Sequence, residues 1–109
     1  MALENPTEVD AVGTERASGV VVLTLIDSWD WTDESAHLIA LQAKLNAYFG
    51  FVESGQLEES YPEAQGRPRR LEIIAKHPIP PNAQRLFDQA AIISLDGLSM
   101  EVVAQHHQS

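Results

Sequence analysis

The segment Asp27-Ser28-Trp29-Asp30-Trp31-Thr32-Asp33-Glu34 gathers both tryptophans of the chain and four acidic side chains into eight residues. It follows an aliphatic run and precedes a helical pattern, so it reads as a strand-to-helix junction, the kind of place where open sheets bind ligands. Asp33 and Glu34 lie four and three positions before His37, which puts carboxylates and an imidazole on one face of a helix. A Glu-x-x-His pair also occurs in di-iron bundles, but those need a second copy and further glutamates on facing helices. With one copy and one long helix, the expectation for His37 is a solvated helix face. Asp30 or Thr32 can cap the first turn, and Asp33 and Glu34 suit the positive end of the helix dipole. Trp31, at the helix start, fits a hydrophobic staple. Trp29 points the other way in an extended segment and is expected to stay outside as an anchor for a partner. The candidate partner- or ligand-binding residues are therefore Trp29, Asp30, Asp33 and His37, with Tyr61 as a second exposed aromatic.

Other chemistries find little footing. The absence of cysteine removes thiol nucleophiles, disulfides and Cys-ligated metal sites. No serine sits in a G-x-S-x-G elbow, and neither G-x-G-x-x-G nor a Walker pattern occurs. Glu58 and Glu59 are loop neighbours whose side chains diverge, and His106-His107 lies in a polar tail. No catalytic residue, metal ligand or cofactor is assigned from the sequence.

Charge is uneven along the 109 residues. Sixteen acidic against seven basic residues give a net charge of −9. Residues 1–66 carry two basic and twelve acidic residues, whereas residues 67–109 carry five and four. Such a chain repels phosphate backbones and anionic lipid surfaces, so neither nucleic acid nor membrane is an expected partner. The one basic cluster, Arg67, Arg69 and Arg70, reads as a solvated loop and strand edge. Residues 1–13 hold three acids and no basic residue, unlike a signal peptide. The longest apolar run, Val20 to Ile26, is too short to span a bilayer. A cytoplasmic protein is expected.

The elements that must position these residues read as follows. Glu8 to Val12 is a short strand and Gly13 to Gly19 a hairpin connection. Val20 to Ile26 is a strand apolar on both faces, with Val21, Leu23 and Leu25 opposite Val20, Val22 and Ile26. From about Thr32 to Ser54, Leu38, Leu41, Leu45, Tyr48 and Val52 form one helical stripe. Gly55 stands where a left-handed C-terminal residue is wanted, and Gly50 is either a close approach or simply tolerated. Glu58 to Pro68 is irregular and acidic. Leu71 to Lys76 is a strand, with Leu71, Ile73 and Ala75 on one face. A second helix, opened by Asn82 or a proline, carries Ala83, Leu86, Phe87, Ala90 and Ile93 and stops at Asp96-Gly97. Met100 to Gln105 is the last strand, with Met100, Val102 and Ala104 facing inward.

The order β-β-α-β-α-β predicts a single α+β domain over residues 1–109, with 1–7 and 106–109 flexible. Right-handed crossovers place both helices on one face of a four-stranded sheet, a two-layer sandwich whose strand order stays open. The opposite face, with Val103, Ile74 and one aliphatic set of the second strand, has no helix to cover it. A homodimer is the expected consequence.

One combination of motifs is specific. Asn5-Pro6-Thr7-Glu8-Val9-Asp10 gives an NPxxVD start. His37-Leu38, Leu41-Gln42, Lys44, Asn46, Tyr48, Phe51 and Glu53-Ser54-Gly55 give an HLxxLQxKxNxYxxFxESG helix, and Tyr61-Pro62-Glu63-Ala64 a YPxA turn. This chain resembles a family of small bacterial proteins known as a domain of unknown function. The likeness covers most of residues 5–76. Arg67 to Arg70 stand where the family has a shorter glycine-lysine turn. The resemblance implies no activity, cofactor or binding residue.

Two functions follow from the residues. The first is a non-enzymatic interaction module, binding a basic protein partner in the manner of an inhibitor or immunity protein. The second is a small-molecule or metal site at the junction 27–37, with His77 or Arg67 contributing from across the sheet end.

Overall fold

The computed structural model describes residues 11–106. It contains β1 (Ala11–Thr14), β2 (Val21–Asp27), α1 (Glu34–Glu53), α2 (Gln56–Ser60), β3 (Arg69–Ala75), α3 (Pro81–Leu98) and β4 (Met100–His106), with a single 3-10 turn at Pro62–Ala64. The sheet runs in chain order, β1-β2-β3-β4. β1 pairs antiparallel with β2, and β2, β3 and β4 are mutually parallel. The fold is the expected two-layer α+β sandwich, enlarged by one short helix. The first three residues of the expected first strand, and His107, lie outside the described residues.

Alternation explains the sheet. Val21, Leu23, Leu25 and Asp27 of β2, and Leu71, Ile73 and Ala75 of β3, are buried, while the residues between them are half-buried. Met100 is buried, and Val102, Ala104 and Val12 pack against the same core. That core is closed by Leu41, Leu45, Tyr48 and Val52 of α1 and by Ala83, Phe87 and Ala90 of α3, so both long helices cover one face. The other face alternates apolar Val22, Ile26, Ile74 and Val103 with Thr24, Arg70, Glu72, Glu101 and Gln105.

Several expectations need correcting. The stretch Glu58 to Pro68 is irregular only after Ala64: α2, which buries Leu57, runs on to Ser60 and the 3-10 turn buries Ala64, while Glu58 ion-pairs with Arg69. The arginine cluster is not simply solvated. Arg70 pairs with Glu15 and Glu72 at 3.0 Å each, and Arg67 donates to the Glu63 and Gly19 carbonyls. The second helix passes Asp96-Gly97 and ends at Leu98, with Ser99 taking the left-handed conformation at φ 52°. It opens with Pro81 after Pro80, as proline's fixed φ allows. Ile93 is not in the core stripe; it is 64% exposed, and Ser94 is buried in its place. Leu38, expected on the α1 stripe, is only half-buried. Gly55 does adopt a left-handed φ of 87°, whereas a side chain at Gly50 would meet nothing within 4 Å. Among the described residues no helix is long and apolar enough to cross a membrane.

Candidate functional site

The parallel register sets Asp27, Ala75 and His106 side by side at the C-terminal edge of the sheet. Both long helices begin at this edge, where Asn82 of α3 donates to Glu34 of α1 at 3.4 Å. The junction 28–33 therefore lies at the strand ends.

Asp27 completes the inward alternation of β2 and is 1% exposed. Its Oδ1 accepts the backbone N–H of Trp29 at 3.2 Å. His37, in the first turn of α1, is also 1% exposed, so its expected solvated position is corrected. His37 Nε2 lies 2.7 Å from both Asp27 carboxylate oxygens, and its Nδ1 lies 2.9 Å from the carbonyl oxygen of Asp30. A carbonyl only accepts, so Nδ1 carries a hydrogen. The Nε2–Asp27 contact needs one hydrogen as well, placed on the ring or on the carboxyl. The pair thus holds two hydrogens and is electrically neutral as a unit. Burial raises the Asp27 carboxyl above its ordinary range, and the charge and hydrogen bond of His37, the Trp29 N–H and the charge of His77 oppose that.

Both tryptophans touch this imidazole. Trp31 stacks on it, with centroids 3.6 Å apart and planes 20° off parallel; Trp29 meets it tilted, at 5.6 Å and 55°. Each indole is half-buried and packs on the core, so the expected division between a packed and an external tryptophan is one of degree. Sequence reasoning missed the buried pair, although a step of four back from Leu41 on the α1 stripe reaches His37. It also missed Lys44, which is fully buried with its ammonium 5.8 Å from the centre of the Tyr48 ring.

The acids take defined roles. Asp33, rather than Asp30 or Thr32, is the N-cap of α1, accepting the Ala36 N–H at 3.1 Å. Asp30 accepts the Thr32 N–H at 3.1 Å, and bonding by Thr32 holds its carboxyl below the usual range. Asp30 and Asp33 are exposed, and with Ser28, Trp29, Thr32 and Ala36 they line an open cleft of about 410 Å³. The structure thus brings Trp29, Asp30 and Asp33 to one cleft and places His37 beneath it. Tyr61 does not line it; this residue caps the C-terminus of α2, the helix that follows the 20-residue α1. His77 lies near enough to act on Asp27 and Asp30 electrostatically. Arg67 is held by Gly19 and Glu63 before the N-terminal end of β3 and takes no part.

The chemistry available here is limited by those contacts. A general base needs a ring nitrogen directed at substrate, and both nitrogens of His37 are engaged within the protein. Among the described residues no three His, Asp or Glu side chains converge to hold a metal ion.

Comparison with curated proteins and with solved structures finds no match. Residues 1–107 match the family of unknown function DUF6572, and the chain belongs to that family.

Proposed function

We propose that this protein is a non-enzymatic interaction module whose cleft at the β2–α1 junction receives a basic side chain of a protein partner, as an inhibitor or immunity protein would. The observation that carries this reading is the cleft itself: Asp30 and Asp33 stand exposed beside the indole of Trp29, on a junction fixed from below by the Asp27–His37 pair. Two carboxylates next to an aromatic face suit a guanidinium or ammonium group through ion pairing and cation–π attraction. The acidic excess over residues 1–66 steers such a partner at long range. A small cationic ligand is the second reading, because the cleft volume falls within the range of small-molecule sites.

An arginine-rich peptide, titrated against the tryptophan emission of the protein, tests the reading. The Trp29 indole lines the cleft, so binding there should change the signal, and affinity should fall as salt rises. Asp30→Asn combined with Asp33→Asn keeps both side-chain acceptors and removes two charges, and should weaken binding several-fold. Unchanged affinity in that double variant would mean that the peptide binds elsewhere on the protein, and the cleft would lose its role. Free arginine binding as tightly as the peptide would favour the small-ligand reading.

A further inference from the structure

β4 ends the sheet on one side, and among the described residues it pairs only with β3. Its register with β3 runs unbroken from Met100 to His106. Proline, lysine and bulges commonly blunt such an edge, and β4 contains none of the three. Alternate residues of the strand turn their N–H and C=O groups outward. α3 flanks this edge. Its Ala83, Phe87, Ala90 and Ser94 face the sheet, while Leu86, Gln89 and Ile93 line a small groove against α1. At helical spacing, Asp88, Ala91, Leu95 and Leu98 take the remaining side. Tyr48 of α1 donates to the Thr24 carbonyl of β2, and Ser94 of α3 to the Met100 carbonyl of β4. The side of α3 turned away from α1 therefore overhangs the open edge. Ala91 and Leu98 are half-buried there, and Leu95 is 64% exposed.

We propose that the open edge of β4 takes up an extended segment of a basic protein partner as a fifth strand, its apolar side chains beneath Leu95 alternating with Lys or Arg on the open face. The backbone row calls for an extended chain, because only a strand satisfies outward N–H and C=O groups together. The two faces of the edge then dictate alternation. Beneath α3 the added strand meets Leu95, Ala91 and Leu98, which favour apolar side chains. On the open face it runs beside Glu101, Val103 and Gln105, so a cation pairs there with Glu101. Arg70, next to Glu101 in the register, is already engaged by Glu15 and Glu72. Asp88 borders the helical flank with a second carboxylate. Net charge decides between occupants: at −9 the chain repels a second copy of itself and attracts a basic segment. The acidic cleft lies at the β2–α1 junction, so this proposal stands independently of the function proposed above.

The probe is a synthetic peptide of β4's own length, alternating valine and lysine, added to the full chain labelled with nitrogen-15. Amide exchange of alternate residues within 101–105 should slow by about tenfold at saturation, while the residues between them stay as they were. Two N-methylated forms of the peptide, blocking one or the other alternate set of its amides, should differ: one binds and the other does not. Leu95→Glu should weaken binding by about tenfold, the loss expected of one buried leucine contact, with the melting temperature unchanged. The direction matters, because a peptide drawn by charge alone would bind this more acidic variant more tightly. Ile39→Glu, on α1 and equally exposed, supplies the same added charge away from the edge and should not weaken binding. Unaltered exchange in β4, equal binding of both methylated forms, or tighter binding by Leu95→Glu each overturns the proposal. So does protection of the β4 amides that rises with protein concentration in the absence of peptide, which would give the edge to a second copy.

Discussion

His37 Nε2 lies 2.7 Å from both carboxylate oxygens of Asp27, joining the last residue of β2 to the first turn of α1 through one buried hydrogen. The pair sits beneath a junction that the second ring nitrogen holds by the Asp30 carbonyl. Its contribution is best measured by breaking it. His37→Ala leaves a buried carboxyl without its partner and should cost about 3–5 kcal/mol in chemical denaturation. Asp27→Ala with His37→Ala should cost clearly less than the two single changes together. Simple additivity would show that the two side chains do not act as a unit.

The same burial gives a pH dependence of known sign. Asp27 is raised in the folded protein, chiefly by desolvation. A raised carboxyl favours the folded state below its unfolded value of about 4 and loses that contribution as pH rises through the folded value. Asp27→Asn lacks this titration. The stability of wild type relative to Asp27→Asn should therefore decline as pH rises from that point. Glu15 and Asp30 are shifted the opposite way, but both variants carry them and they cancel in the difference. A difference that grows with pH would contradict the assignment.

Two glycines should respond in opposite directions to alanine. Gly50 is in the interior of α1, exposed, and a side chain there meets nothing, so Gly50→Ala should stabilise by about 1 kcal/mol. Gly55 has φ 87°, where a Cβ is strained, and Gly55→Ala should destabilise by roughly 1 kcal/mol or more. Thermal melts of the two variants decide this, and shifts of the same sign would refute the backbone argument.

The tryptophans should differ in degree. Trp31 lies flat on the imidazole, so Trp31→Ala loses stacking as well as apolar area and should cost roughly 2–3 kcal/mol. Trp29, tilted and bordering the cleft, should cost less, roughly 1 kcal/mol, while its loss weakens binding of the arginine-rich peptide. Equal destabilisation with unchanged binding would reduce the junction to core.

What could be read from the chain depended on whether a residue's partner lies within its own element. Leu23, Leu25, Leu41 and Leu45 announce themselves by period, and the structure buries all four. His37 falls on the same period as Leu41, but its polarity argued for solvent, because its partner is a carboxylate on another element. Ser94 behaves alike. The spacing of Ala83, Phe87 and Ala90 continues to 94, yet apolar Ile93 is the natural choice until the Met100 carbonyl that accepts the Ser94 hydroxyl at 2.8 Å is known. α2 is too short to show any period, and its packing rests on Leu57 alone. Asp33 was legible as an acid at the helix start but not as the cap itself, since Asp30 and Thr32 fit that role equally by residue type.

The sheet's connectivity also bears on how the chain reaches its fold. Val20 to Ile26 is uncharged and rich in β-branched residues, the composition that seeds pairing between chains. Its parallel partner begins only at Arg69, after two helices, and until then four-residue β1 is the one neighbour at hand. Refolding yield should therefore drop as protein concentration rises. Thr24→Lys, opposite Glu72 on the open face, should restore yield while leaving the melting temperature nearly unchanged. Asp27 closes the run with an ionisable group, so it guards the strand before it ever meets His37. Replacing it with asparagine should promote aggregation during refolding beyond what the loss of folded-state stability accounts for.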